Sequence, residues 1–344
     1  MKKIYLVTYK FQHHYSISGY NRLGDFIDCK RIVIPWIIST SLQKTATWKR
    51  REKLKQTTGL TGYFPECVWL EWWTKILAKL DSGSIFHFIY PENSYYFTSG
   101  YRKSSRTKII ATYHQPVQES RQFILKTDAI RKLDAVILLA ESQREFFEPL
   151  VGNDRIFIIP HGIDLNFFKP DKKMKSEKRI IAVGNWLRDF PTLVSALKIL
   201  EERKSDIVCD VVTLEQNRSL FSNLRNVQFH SGISDDALLN LYHRTSISVL
   251  SLTGTAANNA VLESMACGLP IIATDLPAIR EYTPEEGCRY VPSADPDYLV
   301  DSIISLVDDT KAQGVMSEAN VKNAQKYRWE NIAQQTMDVY TQVV

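Results

Sequence analysis

One helix-forming stretch in this 344-residue chain opens in small residues and carries a single glutamate about a turn and a half inside. The loop Thr253-Gly254-Thr255-Ala256-Ala257 follows an apolar run that ends at Leu252. A helix is predicted over about 258–267, where Gly268 suits its C-terminus and Pro270 blocks continuation. Small residues at a helix start let the first N–H groups and the positive dipole end meet an anion. Glu263 lies on that helix. Its carboxylate can accept hydrogen bonds from two adjacent hydroxyls, as on a ribose. Elsewhere, the run 109–112 ends a strand and presents His114 at its C-terminal edge. His87 and Glu92, in the run 86–92, are expected at another strand end facing the same side.

Short β-branched runs position these groups. They recur at 4–7, 32–34, 85–89, 109–112, 135–139 and 156–159, mostly separated by segments of helical length. Continuous apolar runs alternating with helices predict a parallel sheet buried on both faces. The polar segment 171–178 reads as an exposed linker. Beyond it the rhythm restarts at 179–184, 207–212, 226–229 and 247–251, with a helix near 191–203. Two open α/β domains are therefore expected, with a ligand cleft between their strand C-terminal edges.

Hydrophobic content of 44% and charged content of 24% are ordinary for a globular protein. A net charge of +5 is a mild excess that suits phosphate ligands and demands no nucleic acid. Cys29, Cys67, Cys209, Cys267 and Cys288 form no Cys-x-x-Cys pair, which fits a reducing cytoplasm rather than a disulfide framework or zinc site. The first apolar run is closed by Lys10 and reads as a strand, not a signal peptide, and no stretch approaches a membrane span.

The run from Leu262 to Thr274, with Met265-Ala266-Cys267-Gly268-Leu269-Pro270 inside it, resembles the signature of retaining GT-B glycosyltransferases of family four, the glycosyl transferases group 1. Residues 158–170 are similar to that family's passage into its C-terminal domain, and 226–234 to its Val-x-Phe-x-Gly segment. The resemblance is strong over roughly 132–340 and thin before that. It implies a GT-B fold: an N-terminal acceptor-side Rossmann-like domain over 1–168, a nucleotide-sugar-binding domain over 169–328, and a last helix, 329–344, packed back on the first. It implies transfer of a hexosyl group from a UDP- or GDP-type sugar, with retained configuration, without metal or resident cofactor. The acceptor, whether glycan, lipid or small molecule, is not named by the sequence.

Carried over residue by residue, the resemblance makes Glu263 the ribose ligand. Thr255 stands where the family has a glutamate on the donor sugar, and Ala256, Ala257, Asn258 and Asn259 complete that loop. Gly184 keeps the family's Val-Gly; Asn185 replaces the usual arginine, leaving Arg188 as the expected diphosphate partner. Gly19 sits where the family has a glycine loop near the phosphates. His114 is assigned to positioning the transferred sugar, because in a retaining transfer the leaving phosphate can take the acceptor's proton. His87, Glu92, His13 and His14 are the acceptor-side candidates. Asp295-Pro296-Asp297 reads as a helix cap rather than a metal site.

A basic stretch (Lys44, Lys49, Arg50, Arg51, Lys53, Lys55, with Trp48) precedes a helical segment carrying Trp69, Trp72 and Trp73. The favoured expectation packs these tryptophans in the core; peripheral contact with the inner membrane face is the other. Two rival functions follow from Thr255 and Asn185 and from the fold: a non-catalytic or divergent GT-B binding protein, and another enzyme on the same fold, such as a sugar-nucleotide epimerase.

Overall fold

The computed structural model describes residues 2–9, 17–34, 47–101, 106–171 and 178–344. The contacts divide the chain into two units: Gly19–Pro160 with the first strand and Trp329–Val344, and His161–Arg328 together with Ser18. The expected linker lies almost wholly outside the described residues, as do His13, His14 and Lys44.

In the first unit, strands β1 (Ile4–Val7), β2 (Lys30–Ile32), β3 (Ile85–Phe88), β4 (Lys108–Tyr113), β5 (Ala135–Leu138) and β6 (Ile156–Ile158) form one parallel sheet in the order β2-β1-β3-β4-β5-β6. Helices α1 (Trp48–Thr58), α2 (Cys67–Leu80), α3 (Pro91–Ser94), α4 (Val117–Phe123) and α5 (Arg144–Val151) connect them. All four residues of β1, β3 and β5 are buried, as expected of strands covered on both faces. The second strand begins two residues earlier than its apolar run suggests, because Lys30 and Arg31 pair with β1 while their side chains face water.

The second unit repeats the plan. Strands β7 (Arg179–Val183), β8 (Val208–Val212), β9 (Val227–His230), β10 (Ile247–Leu250), β11 (Ile271–Thr274) and β12 (Cys288–Val291) are parallel in the order β12-β11-β10-β7-β8-β9. Their helices are α6 (Phe190–Arg203), α7 (Arg218–Phe221), α8 (Asp235–Arg244), α9 (Asn259–Ala266), α10 (Pro277–Tyr282), α11 (Pro296–Val307) and α12 (Thr310–Ala324). Asp295 caps α11 by accepting from the Tyr298 N–H at 2.9 Å. The last helix, α13 (Trp329–Gln342), belongs to the first unit, where Trp329 packs against Tyr20 and Phe26.

Both sheets reverse their strand order once, between β1 and β3 and between β7 and β10. Open α/β sheets bind ligands beyond the strand C-termini at such points. The two expected parallel α/β sheets are present.

Candidate functional site

The loops leaving β7 and β10 meet at the reversal in the second unit. Arg188 bridges Leu252 in antiparallel fashion, the Asp189 N–H donates to Ser251 O at 3.0 Å, and the Thr253 N–H donates to Leu187 O at 3.0 Å. Leu187 takes a positive φ of 54° to make this turn, a cost tolerated where the surroundings over-determine the backbone. Gly184 has φ +113°, and a Cβ built there would overlap the Arg188 guanidinium.

Arg188 is folded back into that space. Its Nε donates to Val183 O at 2.8 Å, Nη1 to Trp186 O at 3.1 Å, and Nη2 to Asn258 Oδ1 at 3.3 Å. Burial pulls its pKa down to about 10, so it is still a cation at neutral pH. Asn258 is the N-cap of α9: its Oδ1 also accepts from the Ala260 N–H at 3.1 Å. One asparagine thus couples the cation to the helix start. The helix ends as the residue types require, with Gly268 at φ +76°.

Glu263 is buried on α9. The Ser18 hydroxyl donates to its Oε1 at 2.7 Å and the Tyr242 hydroxyl to its Oε2 at 2.8 Å. Burial raises the carboxyl above its ordinary range, while those hydrogen bonds and the Arg188 charge pull the other way. A carboxylate offers about four lone-pair sites, so two hydroxyl donors leave it acceptor capacity. Asn259 Nδ2 donates to Ser18 O at 3.0 Å. Thr255 turns its hydroxyl onto Ala257 O at 3.1 Å, and Asn185 Oδ1 accepts from Asn217 Nδ2 at 2.7 Å. Ala256 is buried beneath the loop and Ala257 half-buried.

In the first unit, His114 follows β4. Its Nε2 lies 2.6 Å from Ile89 O, and because a carbonyl only accepts, that nitrogen carries the proton. The ring is edge-on to Tyr20 at 5.0 Å and tilted against Tyr90 at 4.7 Å. Gly19 precedes Tyr20 with φ −77°, a conformation open to any residue, so this position makes no use of glycine's freedom.

Two acceptor-side expectations are corrected in their placement. His87 lies inside β3, fully buried, with Nδ1 2.6 Å from Tyr340 Oη and Nε2 2.7 Å from Thr112 Oγ1. Its ring joins the sheet to α13, and burial lowers its pKa to about 3. Glu92 sits in α3, not at a strand end, and is buried. It accepts from the His114 backbone N–H at 2.5 Å, and burial pushes its pKa up to about 7. Glu92 therefore supports the backbone that carries His114. A third correction concerns the tryptophans: Trp72 and Trp73 are exposed, not packed in the core.

The arrangement thus brings Gly184, Arg188, Asn258 and Glu263 together and adds Tyr242 and Ser18, which no local pattern marks. Tyr242 lies in the last turn of α8 among the buried Leu238 and Leu241, and its spacing is that of a core aromatic. Among the described residues, no group of three or more His, Cys, Asp or Glu side chains is set to hold a metal ion.

Residues 177–309 match the family model described as Glycosyl transferases group 1. Sucrose-phosphate synthase from Thermosynechococcus elongatus superposes over 100% of this chain and 99% of its own, with a TM-score of 0.75 at 19% identity. Anabaena HepE in complex with UDP and glucose covers 99% and 100%, with a TM-score of 0.68 at 11% identity. The fold is GT-B. Among curated relatives of this GT-B chain, an MMP alpha-(1->4)-mannosyltransferase of Mycolicibacterium hassiacum is 26% identical over 56% of the chain and 50% of its own length. A phosphatidyl-myo-inositol mannosyltransferase of Mycobacterium leprae is 22% identical over 68% of the chain and 67% of its own length. The GT-B chain spans about half the length of the first of these.

Proposed function

We propose that this chain is a retaining hexosyltransferase that moves a sugar from a nucleoside diphosphate of the UDP or GDP type to an acceptor hydroxyl. The observation that carries the reading is the coupling of Arg188, Asn258 and the start of α9 at one end of a helix whose middle holds the buried Glu263. The group 1 match over the same residues supports it, as do relatives whose names are those of glycosyltransferases.

In this reading Glu263 accepts from the ribose hydroxyls. Arg188 and the α9 dipole hold the diphosphate, and their fixed charge stabilises it as it leaves. The bond from the anomeric carbon to the phosphate oxygen breaks, and a bond from the same face to the acceptor oxygen forms. The acceptor's proton passes to the departing phosphate, so no side chain need act as base. His114, its tautomer fixed by Ile89 O, is assigned to orient the sugar. No metal and no resident cofactor take part. The five free thiols fit a reducing cytoplasm.

Calorimetry of UDP, GDP and ADP against the full chain, with Glu263→Ala as the control, tests the reading. Binding of one nucleotide that the substitution abolishes supports it and names the donor class. Binding of none overturns the Glu263 assignment and favours the second reading, a non-catalytic GT-B protein, to which the uncharged Thr255 points.

A further inference from the structure

Glu263 is only 3% exposed, yet among the described residues its carboxylate receives just two side-chain donors. Ser18 Oγ lies 2.7 Å from Oε1 and Tyr242 Oη 2.8 Å from Oε2, so each oxygen has one. A carboxylate has about four lone-pair sites, which leaves one open on each oxygen. Unfilled acceptors on a buried carboxylate are costly, and the hydroxyls of a ligand would fill them.

The two donors are held in different ways. Tyr242 is buried in the last turn of α8 among Leu238 and Leu241. Ser18 comes from 245 residues away and is clamped to α9 at two points. Asn259 Nδ2 donates to its carbonyl at 3.0 Å, and its hydroxyl donates to Glu263. Asn259 and Glu263 lie one turn apart on one face of α9. The first bond fixes where the serine stands, and the second fixes how it meets Oε1. Ser18 is itself buried, so water does not compete for that contact.

We propose that Ser18 is a positioning residue for Glu263, and that the pair selects ribonucleoside over 2′-deoxyribonucleoside diphosphates. With Tyr242, it sets the carboxylate so that each oxygen turns one open lone pair to one hydroxyl of an intact ribose cis-diol. Donors on both oxygens restrain the carboxylate and favour its ionised form, which alone accepts from both hydroxyls. A 2′-deoxy sugar leaves one oxygen short of its partner, which a buried acceptor penalises. The inference rests on the transferase reading above and adds the residue that makes its ribose contact selective.

The test is calorimetry of the full chain with UDP, GDP and their 2′-deoxy analogues. The unsubstituted chain should bind one ribonucleotide about tenfold tighter than its 2′-deoxy form. Ser18→Ala should weaken that ribonucleotide about tenfold and the deoxy form less, so the ratio between them falls. The loss of affinity on acidification should also begin at a higher pH. Burial raises the Glu263 carboxyl, and the Ser18 hydroxyl is foremost among the bonds that hold it down. Asn259→Ala frees the serine carbonyl and leaves both carboxylate donors in place, so it should lower the same ratio by a smaller factor. If circular dichroism shows that Ser18→Ala does not fold, Asn259→Ala decides alone. An unchanged ratio overturns the proposal. So does equal weakening of both sugars with an unmoved pH profile, the mark of a merely structural contact. Tighter binding by Ser18→Ala overturns it too, because the serine would then compete with the ribose for Oε1. No nucleotide bound by the unsubstituted chain brings down the transferase reading and this inference with it. Binding that Glu263→Ala abolishes and Ser18→Ala leaves intact brings down the role of Ser18 alone.

Discussion

The Arg188 guanidinium occupies the space where a side chain at Gly184 would begin. Residue 184 is therefore a constraint on the cation as much as on the turn. Gly184→Ala must expel Arg188 or strain a backbone already at φ +113°. We expect it to weaken nucleotide diphosphate binding about as much as Arg188→Ala does, by roughly 10- to 100-fold, as for loss of one charge-assisted hydrogen bond. The double variant should be little worse than either single one. Additive losses by calorimetry would show that the two positions act independently.

Tyr242 supplies one of the two hydroxyl donors on the buried Glu263. Tyr242→Phe leaves that carboxylate short of a partner. The expected cost is about 1–3 kcal/mol of stability, read as a lower Tm. The Glu263 carboxyl should also move further above its ordinary range, so the loss of nucleotide affinity on acidification should set in at a higher pH than in the unsubstituted chain. An unchanged Tm with an unshifted affinity profile would place the Tyr242 hydroxyl outside the working site.

Glu92 gives a stability signature of its own. Its folded pKa is raised to about 7 from an ordinary value of 4.5, so the folded chain binds the extra proton between those values. Stability must then fall as pH rises through that window. The full difference against Glu92→Gln is about 3 kcal/mol. His87 and His161, lowered by burial to about 3 and about 4, act in the opposite sense below pH 6.5, and they cancel in the comparison. Thermal melts of both proteins from pH 4.5 to 7.5 measure it; parallel curves would contradict the buried, protonated Glu92.

Much of the fold was legible because inner strands such as β1 and β5 are buried throughout and appear as unbroken apolar runs, whereas the edge strands β2 and β9 carry polar, partly exposed residues. The helix bearing Glu263 was legible for a different reason. Its start and stop depend on small residues, Gly268 and Pro270, whose effects are local. What stayed hidden depends on contacts distant in the chain. Ser18 reaches Glu263 from 245 residues away. His87 follows an apolar run like a strand-end residue, yet Tyr340, 253 residues on, closes over it. The tryptophans of α2 misled for a third reason: with apolar residues around most of its circumference, periodicity does not say which face turns inward, and the buried Glu71 decides it.

The first unit is completed by the last helix of the chain, with Trp329 seated on Tyr20 and the Tyr340 hydroxyl on His87. During synthesis from the N-terminus, everything from His161 to Arg328 leaves the ribosome before that closing helix does. The second unit can fold while the first still lacks its last piece. A chain released after Arg328 would therefore carry every element from His161 to Arg328 with a first unit open to proteases and chaperones around Tyr20, Phe26 and His87.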